Sequence, residues 1–319
     1  MSLVVCIGEL LVDWFPLASG QSLRDAEVLV KKPGGAPANV ATVIAALGGE
    51  AALVSHVGSD PFGEWLREVV AEYGVDVRTV GRSKRAATAM AFVARLENGD
   101  RDFVFVHGAD HDWSWGDAEQ AAVESARVVH FGAATLQVSA EVREHYTKIM
   151  QFLYSSGGIK IISFDPNFRE DLWKNKVHEW CEWVRECIPF CHVAKFSDEE
   201  LLLITGAESL DAAMTRVRDW TNAVVLVTCG PGGAYALLEN GQVQVPSVPL
   251  DGAVVDTTGA GDSFVAAVLW LISMESEPWV AVNIDRTRWV NWLGQANQVA
   301  GRICQQVGAM PVWRNECVK

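Results

Sequence analysis

Short apolar runs alternate with amphipathic stretches along most of the chain, in a strand–helix–strand rhythm. Residues 4–12 form an apolar run that predicts a buried strand. A helix is predicted over residues 39–47, stopped by Gly48 and Gly49. Residues 51–57 predict a strand, and residues 61–73 a helix ended by Gly74. Further strands are expected over 128–131, 159–164 and 224–228, and further helices over 172–186, 199–203 and 263–274. Continuous apolar strands separated by helices suit an α/β chain with a mostly parallel sheet, because such strands are covered on both faces.

One region breaks the rhythm. Residues 88–95 and 101–107 are strand-like, and Glu97-Asn98-Gly99-Asp100 between them carries the Asn-Gly pair of tight hairpin turns. A hairpin inserted into an α/β chain is a candidate lid, with residues 14–31 as its other half. A plain edge hairpin is the simpler alternative. No internal repeat, low-complexity tract or long linker interrupts the 319 residues.

Half of the residues are hydrophobic and 21% are charged, enough apolar surface for a large core. A net charge of −14 argues against a nucleic-acid partner, since phosphate binding needs a basic surface. The one dense basic cluster, Arg82, Lys84 and Arg85, reads as a solvated turn. The longest apolar run, residues 264–274, is too short to span a bilayer, so no membrane partner is expected. No basic segment precedes the first apolar run, so no secretory signal is expected. The seven cysteines are scattered without a C-x-x-C pair, which suggests reduced thiols and a cytoplasmic location. Cys187, Cys191, His192 and His178 match no standard zinc spacing. Among thirteen tryptophans, Trp173, Trp180 and Trp183 fall near helical spacing and predict core packing. Trp14, Trp113 and Trp115 fall in or beside the candidate lid, where they are expected to exclude water on closure.

Three segments carry chemistry. In Asp256-Thr-Thr-Gly-Ala-Gly-Asp262, residues Gly259, Ala260 and Gly261 precede an apolar helix, where unpaired N–H groups and the helix dipole favour an anion. A carboxylate in the same turn would repel a phosphate unless it serves to take a proton from an attacking hydroxyl. Asp262 as that base beside a phosphate cradle is what phosphoryl transfer needs; a helix-capping Asp is the plainer alternative. In Gly34-Gly35-Ala-Pro-Ala-Asn39, the glycines permit close approach and Asn39 offers a donor and an acceptor to a hydroxyl-rich ligand. A tight turn with Asn39 capping its helix competes with that reading. Asp165-Pro-Asn-Phe-Arg169 ends a predicted strand, where open α/β sheets bind ligands, and Arg169 could reach a phosphate. The alternative is a structural Asx-Pro turn.

Together these segments resemble the PfkB/ribokinase family of carbohydrate kinases. Supporting matches run along nearly the whole chain: Gly8-Glu9 with Asp13, residues 56–63, Lys195 through Glu200, Val227-Thr-Cys-Gly230 with Gly233, and residues 307–311. The Asp165–Arg169 run followed by Leu172-Trp173 looks most like the fructokinase branch, with 2-keto-3-deoxygluconate kinases close behind. The resemblance implies a three-layer α/β/α sandwich with a small β lid, spanning residues 1–319 as one domain with lid segments at about 14–31 and 86–112. It implies transfer of the γ-phosphoryl group of ATP to a sugar primary hydroxyl, most simply D-fructose to fructose 6-phosphate. A 2-keto-3-deoxygluconate kinase, a ribokinase and a non-catalytic sugar-binding scaffold are the alternatives.

The resemblance also implies roles. Asp262 is the catalytic base, and Gly259, Ala260 and Gly261 are the anion hole. Asp13, Gly34, Gly35 and Asn39 hold sugar hydroxyls, and Arg169 reaches the sugar or the transferred phosphate. Lys195, Thr228, Gly230, Gly233 and Asn297 lie along the nucleotide. Mg²⁺ accompanies ATP near Glu200, and K⁺ is an expected activator near Asp256, Thr258 and residues 307–310. A homodimer through the lid is expected. Three positions depart from the family's pattern. Ser197 stands where many ribokinases have Asn, and Ser197-Asp-Glu-Glu200 also reads as a helix capping box. His107 holds the place of a lid arginine usual in fructokinases, which removes a fixed cationic fork. Ala133 replaces a common Ser.

Overall fold

In β1 (Val4–Ile7) every side chain is buried. Val4 and Cys6 enter one hydrophobic core, Val5 and Ile7 another, as the two-residue period of a strand dictates. The chain therefore has a core on each side of a central sheet. The structure, a computed structural model, describes residues 3–18, 20–96, 101–112, 115–135, 139–156, 160–250, 252–275 and 285–313. The remaining strands are β2 (Leu11–Pro16), β3 (Leu29–Gly34), β4 (Ala51–Gly58), β5 (Val80–Ser83), β6 (Met90–Arg95), β7 (Arg101–Val106), β8 (Val128–Gly132), β9 (Ile161–Asp165), β10 (Val193–Ser197), β11 (Val224–Thr228), β12 (Ala234–Leu238) and β13 (Gly241–Val245). The helices are α1 (Ala36–Ala46), α2 (Pro61–Glu72), α3 (Asp117–Ser125), α4 (Ala140–Ser155), α5 (Glu170–Trp173), α6 (Val177–Cys187), α7 (Asp198–Thr205), α8 (Leu210–Arg218), α9 (Ala260–Ser273) and α10 (Arg286–Ile303).

Nine strands form the central sheet in the order β13-β12-β11-β10-β9-β8-β1-β4-β5. The strands from β5 to β11 run parallel, and β12 and β13 add an antiparallel hairpin at one edge. Helices α1, α2, α9 and α10 supply one core, and α3 through α8 the other. The fold is a three-layer α/β/α sandwich, as the resemblance implied. The chain order reverses at β1, which lies between β4 and β8, and open α/β sheets bind ligands outside such a point.

Four strands form a second, small sheet in the order β3-β2-β6-β7. The pairing of β6 with β7 runs from Met90 opposite Val106 to Arg95 opposite Arg101. The Asn98-Gly99 turn lies outside the described residues. Strands β2 and β3, from the segment expected to be the other half, complete the sheet.

Three expectations about elements change. The strand predicted over 4–12 is two strands in two sheets: β1 ends at Ile7, whose carbonyl accepts the Tyr146 hydroxyl at 2.8 Å, and residues 8–10, with Gly8 at φ 142°, carry the chain across. Leu10, Leu11 and Val12 are buried as well, so hydropathy alone gives no sign of the crossing. Helix α1 starts at Ala36 rather than 39, since Pro37 sits in the first turn, where its missing N–H costs nothing. The helix predicted over 172–186 is broken into α5 and α6 by a 3₁₀ turn at Lys174–Lys176, with Lys174 at φ 35°. Trp173, Trp180 and Trp183 are nevertheless buried. Trp14 alternates with Asp13 on β2, stacks on Phe92 and meets Phe62 of α2 edge-on, so it closes the α2 side of the small sheet. Trp115 is bonded to Gln120, and Trp113 lies outside the described residues.

Candidate active site

The C-terminal ends of β1, β9, β10 and β11 open toward the first turn of α9. Gly259 caps that helix at φ 79°, and a Cβ there would lie 2.3 Å from the Ala309 Cβ, so only glycine fits. Asp262 is in the third helical position, which removes the reading of it as a cap. The Ala260 N–H turns back to Thr257 O at 3.2 Å, whereas Gly261 and Asp262 lie in the first turn, whose N–H groups have no partner within a helix. A side chain at Gly261 would lie 2.9 Å from Lys195 Nζ, so the ammonium sits directly against this turn.

Asn39 is not a cap either. Gly35, at φ 107° and 2.3 Å in Cβ distance from Glu9 O, caps α1. Asn39 is one turn inside, and its Nδ2 donates to Asp262 Oδ2 at 2.8 Å across 223 residues of sequence. Both side chains are buried. Burial pushes the Asp262 carboxyl up, while Asn39, Arg169 and Lys195 pull it back. On the small sheet, Asp13 faces the same centre, with Gly34 so close that a Cβ would meet its carboxylate at 2.1 Å. Burial raises Asp13 to about 7, with Arg169 opposing and Asp256, Asp262 and Glu9 adding to the rise.

Glu9, which matched the family pattern without an assigned role, belongs to this cluster. It is 3% exposed, and its Oε1 accepts the Ala36 N–H at 2.9 Å. Burial raises it to about 7. Arg169 is exposed at the start of α5, with Nη1 on Phe168 O at 3.0 Å, yet its charge acts on Glu9, Asp13, Asp165 and Asp262. The Asx turn weighed as an alternative is present too: Asn167, at φ 49°, donates its N–H to Asp165 Oδ1 at 3.3 Å.

Behind the anion turn lies a buried ion pair, Lys195 Nζ to Asp165 Oδ2 at 3.1 Å. Burial alone would lower the Lys195 ammonium, but Asp165, Glu200 and Asp262 hold it above its usual value. Burial raises both Asp165 and Glu200, against the pull of Lys195. The Glu200 oxygens accept N–H groups from Phe168 at 2.6 Å and Ser197 at 2.7 Å, and Ser197 Oγ accepts the Glu200 N–H at 3.1 Å. The capping box and the acidic position are thus one and the same residue.

On the far side of the turn a cleft of about 410 Å³ is lined by Thr228, Gly230, Gly233 and Asn297 together with Ala260 and Gly261. Four of the five residues expected along a nucleotide therefore share one cavity; Lys195 instead lies behind Gly261, toward Asp165. Asn297 Nδ2 is bonded to Pro246 O at 2.9 Å. The lining is mostly apolar, as a flat aromatic base requires, and it ends at the anion turn. Asp256 Oδ1 accepts the Thr258 N–H at 3.0 Å and hydroxyl at 2.7 Å, and its Oδ2 accepts the Gly308 N–H at 3.1 Å. This joins the two segments expected near a monovalent ion. From the small sheet, Arg95 Nη2 donates to Thr257 Oγ1 at 3.3 Å, a contact not foreseen from sequence. A shallow depression around Asp60, Arg82 and Lys84 is open surface, where Arg82 pairs with Glu64 at 2.6 Å, as a solvated turn should.

The profile of the "pfkB family carbohydrate kinase" group matches residues 1–314. The chain is 36% identical over 319 residues to probable fructokinase-4 of Arabidopsis thaliana, covering 99% of this chain and 94% of that protein. Among solved structures, an uncharacterized sugar kinase from Pyrococcus horikoshii superposes with a TM-score of 0.82 at 31% identity, covering 98% of this chain and 95% of that one. A fructokinase from Vibrio cholerae O395, solved in fructose-, ADP- and calcium-bound form, gives 0.82 at 27% identity, covering 97% and 95%.

Proposed function

The chain belongs to the pfkB family of carbohydrate kinases and is an ATP-dependent carbohydrate kinase, and from that premise we propose that it transfers the γ-phosphoryl group of ATP to the primary hydroxyl of D-fructose, giving fructose 6-phosphate. The observation that carries this reading is the position of Asp262. It stands between the acidic cluster of Glu9 and Asp13 on one side and the cleft that ends at Gly261 on the other. A sugar bound against Asp13, Gly34, Gly35 and Asn39 would present a hydroxyl to the only oxygen of Asp262 not held by Asn39, namely Oδ1. That oxygen takes the proton as the hydroxyl oxygen bonds to the γ-phosphorus and the bond to the β-phosphate oxygen breaks. ADP leaves, and Asp262 returns its proton to solvent. Of the expected anion hole, the Ala260 N–H is taken by Thr257 O, so the first-turn N–H groups of Gly261 and Asp262 would meet the developing negative charge, with the Lys195 ammonium against Gly261 and the Arg169 charge helping to balance it.

Five carboxylates, those of Glu9, Asp13, Asp165, Glu200 and Asp262, are drawn on by two cations, Arg169 and Lys195. That excess of acid fits a divalent cation entering with the nucleotide. Glu200 and Asp165 would hold Mg²⁺ through water, and when bound it would neutralise phosphate charge. Asp256, Thr258 and the carbonyls of residues 307–310 would hold K⁺, although Gln306 Nε2 takes the Gly308 and Met310 carbonyls at 3.2 and 2.6 Å. The small sheet acts as the lid of one domain covering residues 1–319. A homodimer through it is supported by exposed Leu17, Val28, Val104 and Val106. A cytoplasmic location is part of the same proposal, supported by the six described cysteines all being free thiols.

One observation favours another sugar. His107 Nδ1 is 3.0 Å from Asp110 Oδ2, so it is turned to a neighbour instead of supplying a cationic grip. The test is ADP release with Mg-ATP and K⁺ across fructose, 2-keto-3-deoxygluconate, ribose and other hexoses. Fructose should dominate, and Asp262→Asn should lose turnover by about three or more powers of ten while still binding sugar. Near-normal turnover in that variant would refute the role of Asp262. A stronger signal from another sugar would refute fructose alone.

A further inference from the structure

The chain leaves β7 through His107 and Gly108 and enters a 3₁₀ turn, Ala109–His111, packed against β4. Ala109 N donates to Ala87 O at 2.7 Å, which ties this exit from the small sheet to the segment that enters it. Three donor groups meet at that crossing. The Asp110 side chain is fully enclosed, and its Oδ2 lies 3.0 Å from His107 Nδ1 and 3.3 Å from His111 Nε2. All three atoms fall within 4.8 Å of one another. Asp110 Oδ1 is fixed by the Gly108 N–H at 2.6 Å. The His107 ring lies 4.4 Å from Phe105 on one side and 4.4 Å from His111 on the other, so its orientation is set by packing.

We propose that His107, Asp110 and His111 bind a divalent transition-metal ion of the zinc class at the hinge of the small sheet. The edge of a tetrahedron built on zinc bonds of about 2.0–2.1 Å is about 3.3 Å, and both nitrogen–oxygen separations are near it. Only the gap between the two nitrogens has to close, by small rotations of the rings. The backbone bond to Asp110 Oδ1 is the kind of outer support that holds a ligating carboxylate in place. The histidine side chains keep 28% and 31% of their surface exposed, so the trio lies near solvent although His111 Nε2 itself is buried, and water would supply a fourth ligand. Two imidazoles and one carboxylate suit zinc, nickel or copper and not magnesium, so the site is chemically distinct from one that serves Mg-ATP. A bound ion would fix residues 107–111, the exit from the small sheet, which the Ala109–Ala87 bond ties to the segment entering it.

The test uses the tag-free full chain, stripped of metal and without nucleotide. Co²⁺ is added and followed by visible absorption, then displaced by Zn²⁺. One equivalent of Co²⁺ should bind with intense tetrahedral bands and be displaced by Zn²⁺. His111→Ala should weaken binding at least tenfold while its melting temperature in chelator stays close to that of the parent, and His111→Cys should restore the site with an added sulfur-to-metal absorption. Zn²⁺ should raise the melting temperature of the parent but not of His111→Ala. Bands that persist unchanged in His111→Ala, or no tetrahedral bands in the parent at millimolar Co²⁺, would overturn the proposal and leave the trio as an ion-paired hinge.

Discussion

Glu9→Gln tests the electrostatics of the acidic cluster most directly. The carboxyl is 3% exposed, and burial raises it from 4.5 to about 7, against the Ala36 N–H and Arg169. In the unfolded chain Glu9 ionises near 4.5; in the folded chain it keeps its proton to about 7. Between those values the folded state binds more protons, so stability falls as pH rises, and the loss is complete above about 7. A displacement of about 2.5 pH units at about 1.36 kcal/mol each gives about 3 kcal/mol. Glutamine keeps a carbonyl to accept the Ala36 N–H and carries no charge. The variant should match the parent near pH 5 and exceed it by about 3 kcal/mol at pH 8, on the order of 5 °C in Tm for a chain of this length. Thermal melts of the ligand-free protein from pH 5 to 8.5 provide the check. A difference that does not grow with pH, or a variant that melts below the parent at pH 8, would refute the reasoning.

Three further outcomes can be measured on the same preparation. Gly259→Ala forces a left-handed residue and places a Cβ 2.3 Å from that of Ala309, so both Tm and turnover should fall, with a stability loss of about 1–3 kcal/mol. Arg95→Ala removes an exposed contact to Thr257 at the mouth of the nucleotide cleft; Tm should hold while the KM for ATP rises several-fold, and an unchanged KM would remove Arg95 from the site. Because burial raises Asp262 and the base must be ionised, kcat/KM should fall on the acid side around an apparent pKa above the ordinary 3.8. That limb belongs to the coupled cluster rather than to one residue, and a limb at or below 3.8 would contradict the geometry.

The glycine turn at residues 259–261 and α9 could be read from sequence because small residues before an apolar helix have few other uses. The partners of those residues could not. Asn39 and Asp262 each stood out, but only folding shows that they bond across 223 residues and that neither caps its helix. Glu9 matched the family pattern, but its place in the acidic cluster was hidden because it sits in an apolar run that reads as one strand, while the chain in fact crosses between sheets there. Glu200 was ambiguous for a physical reason: a capping box and an acidic ligand position require the same residue type at the same spacing. The trio at the hinge of the small sheet was hidden by its composition, since two histidines around an aspartate in a loop are unremarkable until one carboxylate oxygen is seen to face both rings.

The acid excess explains why the centre is arranged as it is. A protein optimised only for stability would not bury Glu9, Asp13 and Asp262 within reach of one another, because each raises the cost of ionising the next. Two of them are held near neutrality, poised between protonated and ionised forms. A ligand rich in hydroxyl donors relieves that strain by bonding to the ionised forms, and a cation arriving with the nucleotide relieves it from the other side. On the proposed reading, binding of both substrates would draw on the free energy that burial of these carboxylates costs, and would leave Asp262 ionised as the hydroxyl reaches it.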